Sequence, residues 1–131
     1  MNKRDIVQKL KMLGFPLEEY WIVAGGAMVL YGIKEETRDI DLGCSRKLAD
    51  RLEADGHLPL RMADGSRKFV INCEVEVFEE WLFDRIEYID GIPTIPLSGL
   101  IMMKQSLGRE KDLADIEAIK EFIRRQKTDP I

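Results

Sequence analysis

Near the start of the chain, apolar residues recur at helical spacing. Ile6, Leu10 and Leu13 fall on one face, and Gly14-Phe15-Pro16 ends the run, so the pattern predicts a first helix. Trp21-Ile22-Val23-Ala24 is β-prone and leads into Gly25-Gly26, after which Ala27-Met28-Val29-Leu30-Tyr31 reads as a short buried helix closed by Gly32. The unit is strand, glycine turn, helix. From residue 39 to 44 the period becomes two: Ile40, Leu42 and Cys44 point one way, and Asp39, Asp41 and Gly43 the other. This is a strand with one carboxylate-bearing face.

Ser45 is a good N-cap for a helix to about Ala54, with Leu48 and Leu52 four apart and Asp55-Gly56 as its stop. Two extended runs follow, residues 57–62 and 68–78, divided by Ala63-Asp64-Gly65-Ser66 and expected to pair antiparallel. Asp90-Gly91 divides a shorter hairpin, residues 86–88 and 92–95, whose Pro93 and Pro96 favour the sheet periphery. Ser98 is read as the cap of a helix to about Leu107. After Gly108 a last helix runs from about Glu110 to Arg125, with Leu113, Ile116, Ile119, Phe122 and Ile123 as its apolar stripe. Residues 126–131 read as a frayed tail, since Pro130 cannot continue a helix. Strands mixed with helices, and no repeat or linker, predict an α+β fold: one domain built on a small mixed or antiparallel sheet with helices packed against it.

Composition narrows the function classes. The 131 residues are 45% hydrophobic and 34% charged, which fits one folded domain and excludes a disordered chain. No apolar run approaches the ~20 residues of a spanning helix, and the first residues lead into an amphipathic helix, so no membrane role and a cytoplasmic location are expected. Cys44 and Cys73 have no metal-ligand spacing and are expected as two reduced thiols at core positions. A net charge of −4 argues against broad nucleic-acid binding while leaving room for one precise nucleotide site.

The chemistry concentrates in Asp39-Ile40-Asp41. Asp is disfavoured in strands, and like charges two apart on one face repel, so the pair needs a compensating partner. Two strand residues at i and i+2 stand ~6.6 Å apart along the backbone, close enough to converge on one divalent ion or a metal pair. Magnesium suits such hard oxygen ligands, and substrate phosphates usually complete its shell. A third carboxylate is available from Glu74-Val75-Glu76, with Glu76 the first choice and Glu74 the second. Gly25-Gly26 permits backbone N–H groups to approach a phosphate at the start of the following helix. Lys104 sits inside an apolar stripe, either reaching a phosphate or a site carboxylate or snorkelling to the surface. Arg109, Lys111, Asp112 and Asp115 could form an ion network bracing the site, and His57 is read as structural or exposed.

The stretch Val23-Ala24-Gly25-Gly26-Ala27-Met28-Val29-Leu30-Tyr31-Gly32, followed by Thr37-Arg38-Asp39-Ile40-Asp41-Leu42, resembles the DNA polymerase β-type nucleotidyltransferase superfamily. More narrowly it is similar to the minimal bacterial branch that includes antibiotic nucleotidyltransferases and toxins of the abortive-infection AbiEii type. Leu100-Ile101-Met102-Met103-Lys104 and Arg109-Glu110-Lys111-Asp112-Leu113-Ala114-Asp115-Ile116 are similar to that branch's two C-terminal helices, so the resemblance spans about residues 20–120. It implies a palm-like fold. It also implies that Gly25 and Gly26, with Thr37 and Lys104, hold a nucleoside triphosphate, and that Asp39, Asp41 and Glu76 bind magnesium, in a site with room for two metals.

The implied reaction is transfer of a nucleoside monophosphate from an NTP to a hydroxyl acceptor, a small molecule or a tRNA end. One departure counts against turnover unless Lys34 or Arg38 compensates for it: Glu35 stands where such relatives often carry a basic residue, two positions before the threonine. The alternatives are a non-catalytic nucleotide-binding or protein-interaction module of the same fold, and a toxin acting on tRNA. Few residues remain for an acceptor-binding domain, so a homodimer or a partner protein would complete the cleft.

Overall fold

The computed structural model describes residues 1–81 and 85–128. Helix α1 spans Lys3–Leu13. The side chain of Asn2 accepts from the Asp5 N–H, the Asp5 carboxylate accepts from the Asn2 N–H, and Gly14 closes the helix with a left-handed backbone, φ 66. Strand β1 spans Tyr20–Val23 and passes directly into helix α2, Ala24–Tyr31. Strand β2 is Ile40–Cys44, and helix α3 is Arg46–Ala54 with the Ser45 hydroxyl accepting from the Leu48 N–H.

The chain then adds β3 (Leu60–Arg61), β4 (Arg67–Val70), β5 (Val75–Glu79), β6 (Glu87–Ile89) and β7 (Ile92–Thr94). It ends in α4 (Leu97–Leu107) and α5 (Glu110–Thr128). The seven strands form one mixed sheet in the order β3-β4-β5-β2-β1-β7-β6. β2 is antiparallel to β1 and parallel to β5, and β4 is antiparallel to both β3 and β5.

The register sorts the sheet into two faces. Ile22, Leu42, Val77 and Phe69 lie opposite one another across four strands, and all are fully buried. They share the hydrophobic core with Ile6 and Leu10 of α1, Met28 and Leu30 of α2, and Leu48 and Leu52 of α3. The neighbouring row is Val23, Asp41, Glu76 and Val70, on the other face. Asp41 and Glu76 are half-buried there and Val70 is exposed.

Several elements differ from the sequence reading. The expected strand 68–78 is two strands, because the Asn72 side chain accepts from the backbone N–H groups of Glu74 and Val75 and folds the run into a hairpin. Cys73 therefore lies exposed in that turn and not in the core, whereas Cys44 is buried, and burial pushes its thiol up to about 12. The hairpin of β6 and β7 is not wholly peripheral: β7 pairs with β1 through Ile22 and Thr94, so Pro93 is buried in an inner strand.

Pro96, not Ser98, stands at the N-cap of α4. Leu113 faces solvent while Ile116 and Ile119 are buried. Helix α5 continues through Thr128, beyond the expected end at Arg125, and residues 129–131 lie outside the described residues. Among the described residues no helix is long and apolar enough to cross a membrane.

Candidate active site

Val23, the last residue of β1, pairs with Asp41, so helix α2 starts beside that carboxylate. The reversal from strand to helix is made at Ala24, a non-glycine residue held in the left-handed region at φ 58. Such a conformation costs roughly 1–2 kcal/mol and concentrates at functional sites. No side chain caps α2, which begins one residue after the Val23–Asp41 pair, so the positive end of its dipole lies near that carboxylate.

The glycines do not make the turn. Gly25 and Gly26 lie inside α2, and neither has a positive φ. What requires glycine is close approach: a Cβ on Gly25 would meet Thr37 Oγ1 at 2.7 Å, and one on Gly26 would meet Ile22 Cδ1 at 2.7 Å. Gly25 thus brings Thr37 against the first turn of α2, while Gly26 seats the helix on the sheet core. The Thr37 hydroxyl donates to the Asp39 carbonyl oxygen at 3.3 Å, which ties the glycine pair to the segment entering β2.

Asp39 is exposed and precedes β2, which begins at Ile40. Asp41 is directly opposite Glu76 in the parallel β2–β5 register. Burial, then Glu76, then Asp39 push the Asp41 carboxyl up to about 6, and Lys68 and Lys104 oppose the shift. Glu76 and Asp39 therefore both act on Asp41, which stands near the start of β2 on the sheet face away from the main core. Glu74 is engaged elsewhere: its carboxylate accepts from Lys9 of α1 at 2.8 Å.

The donor set suits magnesium in kind, being all carboxylate oxygen next to an uncapped helix start that would face phosphate. Among the described residues, however, no three Asp, Glu, His or Cys side chains are gathered into a set that could hold a metal as they stand. Glu76 is bonded instead to Lys68 Nζ, 3.2 Å from its Oε2.

Lys104 is buried between α4 and α5. Its Nζ lies 2.8 Å from Asp115 Oδ2 and 3.7 Å from Asp112 Oδ1. Arg109 forks onto Asp112, and Lys34, from the loop after α2, reaches Asp115 at 3.0 Å. The expected ion network is present in Arg109, Asp112 and Asp115; Lys111 is exposed. Hydrogen bonds from Arg109, against the opposing cost of burial, hold Asp112 below the usual carboxylate range. On Asp115, by contrast, burial is the largest single influence, but bonds from Lys104 and Lys34 together outweigh it and lower that carboxyl too. Glu35 and Arg38 are exposed.

Lys68, the Lys34–Asp115 ion pair and the left-handed Ala24 escaped the sequence reading. Lys68 had a signal, since it shares the even-numbered parity of Glu76, but its distance from Glu76 only closes through the Asn72 turn. No sequence signal marks the Lys34 ion pair or the Ala24 conformation.

No protein-family model matches the chain. None of the curated proteins matches it either. Among solved structures, the fold is similar to that of a "putative nucleotidyltransferase" from Thermotoga maritima, with a TM-score of 0.61 at 14% identity over 95% of this chain and 96% of that one. The likeness is one of fold.

Proposed function

We propose that the chain is a magnesium-dependent nucleotidyltransferase that moves a nucleoside monophosphate from an NTP to a hydroxyl acceptor. The observation that carries the reading is the Asp41–Glu76 cross-strand pair, with Asp39 near enough to act on Asp41 and the uncapped start of α2 beside them. A half-buried carboxylate row of this kind costs stability without a cation and is what a metal–phosphate complex needs. Similarity of fold to a structure described as a "putative nucleotidyltransferase" supports it. The narrower likeness to AbiEii-type toxins and antibiotic nucleotidyltransferases rests on the sequence motifs alone.

In this reading Asp39, Asp41 and Glu76 hold the metal, which would polarise the α-phosphate and offset the charge of the departing oxygen. The first N–H groups of α2, brought close by Gly25 and flanked by Thr37, hold the triphosphate. The acceptor oxygen bonds to the α-phosphorus in line as the bond to the bridging oxygen breaks. Pyrophosphate leaves with that electron pair, and Glu76, on the far side of Asp41 from α2, takes the hydroxyl proton. Lys104 acts by its charge on the site from within its ion network.

A second reading has one observation in its favour. The Lys104 ammonium is already committed to Asp115 and Asp112, and Glu35 is exposed beside the site loop, which fits a module that binds nucleotide without turnover. Incubation with labelled ATP, GTP, CTP and UTP, magnesium and candidate small-molecule, protein and tRNA acceptors separates the two. Label transfer that is lost in Asp41→Asn is expected; nucleotide binding without transfer to any acceptor would favour the module.

A further inference from the structure

The carboxylate face already contains a cation of its own. Lys68 Nζ sits 3.2 Å from Glu76 Oε2 and 5.5 Å from the centroid of the Phe78 ring, so an anion and an aromatic face hold its ammonium on the sheet. Lys68 is opposite Phe78 in the β4–β5 register, one step along from the Val70–Glu76 pair, and so reaches Glu76 diagonally. Its charge also acts on Asp41, against the push from burial and the neighbouring acids.

We propose that Lys68 is an exchangeable counter-ion: it pairs with Glu76 while the site holds no metal, and yields Glu76 when a divalent cation binds. The inference rests on the reading of Asp39, Asp41 and Glu76 as metal ligands. It accounts for a Glu76 carboxylate that is paired with Lys68 while no closed ligand trio is found among the described residues.

The residue beside it shows what a permanent pair looks like on the same hairpin. Arg67 forks onto Glu79 with both side chains nearly buried, and it also reaches Asp50 and Glu53 of α3. That guanidinium is held by three acids at once. Lys68 and Glu76 are 24% and 38% exposed, a range in which an ion pair contributes little and is readily given up. Lysine also suits the task, because a compact ammonium on a flexible stem can leave without breaking a bidentate fit.

The test uses the whole chain and Mn²⁺ as probe, titrated without nucleotide and followed by calorimetry or by the resonance of free Mn²⁺. Lys68→Met keeps most of the stem and removes the charge, and Lys9→Met, which breaks the comparable pair with Glu74, is the control. Lys68→Met is expected to bind Mn²⁺ roughly fivefold tighter or more, with Lys9→Met unchanged. Equal or weaker binding by Lys68→Met, with normal binding by the parent chain, overturns the inference and leaves the metal site standing.

A readout in the parent chain decides the matter even if the variant does not fold. Magnesium should speed acetylation of Lys68, read by peptide mass spectrometry, without speeding that of Lys9. Mn²⁺ binding with no change at Lys68 sinks the exchange alone. Failure of the parent chain to bind Mn²⁺ with or without nucleotide sinks the site reading and the exchange with it.

Discussion

Ionised Asp41 is a cost in the metal-free fold, because burial and two nearby carboxylates push its carboxyl up from 3.8 to about 6. For an acid raised in this way, the contribution to stability is whole below the unfolded value and is lost as pH rises through the folded one. Asp41→Asn imitates the neutral form. It should therefore stabilise the metal-free protein at pH 7 by on the order of 1–3 kcal/mol, and the advantage should shrink as pH falls from about 6 towards 4. Urea unfolding with chelator at pH 7 and pH 4.5 reads this directly, and a destabilised variant at pH 7 would show that Asp41 is a structural residue. The glycines make a second prediction at this scale. Gly26→Ala drives a methyl into the fully buried Ile22 and should cost about 1–3 kcal/mol even after the gain in helix propensity. Gly25→Ala meets only the Thr37 side chain, which can turn aside, so stability should change by less than about 1 kcal/mol while nucleotide binding weakens. Thermal melts beside nucleotide titrations of the two variants test the contrast.

Helices α4 and α5 are joined by ions as well as by apolar contacts, and this makes the pair sensitive to both mutation and acid. Lys104→Met leaves Asp115 with Lys34 and Asp112 with Arg109, so the loss should fall at the low end for a broken buried pair, about 2–3 kcal/mol by denaturant unfolding. Asp112 and Asp115 are both held below their ordinary value of 3.8. Acids lowered in the fold contribute stability above that value and lose it as pH falls through the folded one. Stability should thus drop steeply below about pH 4, and less steeply in an Asp112→Asn/Asp115→Asn variant that has already given up the pairs. How far the elements were legible follows the same physics. Helix ends marked by Ser45, Gly14 and Gly108 were readable because capping is local. The Asn72 turn was missed because one side chain makes it inside a continuous β-prone run. The face of Glu76 still came out correctly, since β4 and β5 pair even-numbered residues with even, Lys68 with Phe78 and Val70 with Glu76. The start of α2 at Ala24 was hidden because glycine is a poor helix former, and the burial of Gly26 through Leu30 outweighs that preference.

Across the whole molecule, the sheet separates two tasks. One face builds the core with α1, α2 and α3, and the other carries the acids, an arrangement that the period-two pattern from residue 39 to 44 already announced. The parallel pairing of β2 with β5, by contrast, joins strands separated by α3 and the β3–β4 segment, and no local pattern specifies it. That long-range pairing is what sets Glu76 opposite Asp41, a placing that no local pattern in the sequence could show. The central claim is that these acids and the start of α2 form one magnesium–nucleotide site. Calorimetric titration of each NTP into the whole chain, with magnesium and with chelator, tests it most directly when repeated on folded Asp41→Asn. The account predicts binding of at least one NTP that requires magnesium and disappears in the variant; no binding of any NTP, or binding indifferent to magnesium and to the substitution, would contradict it.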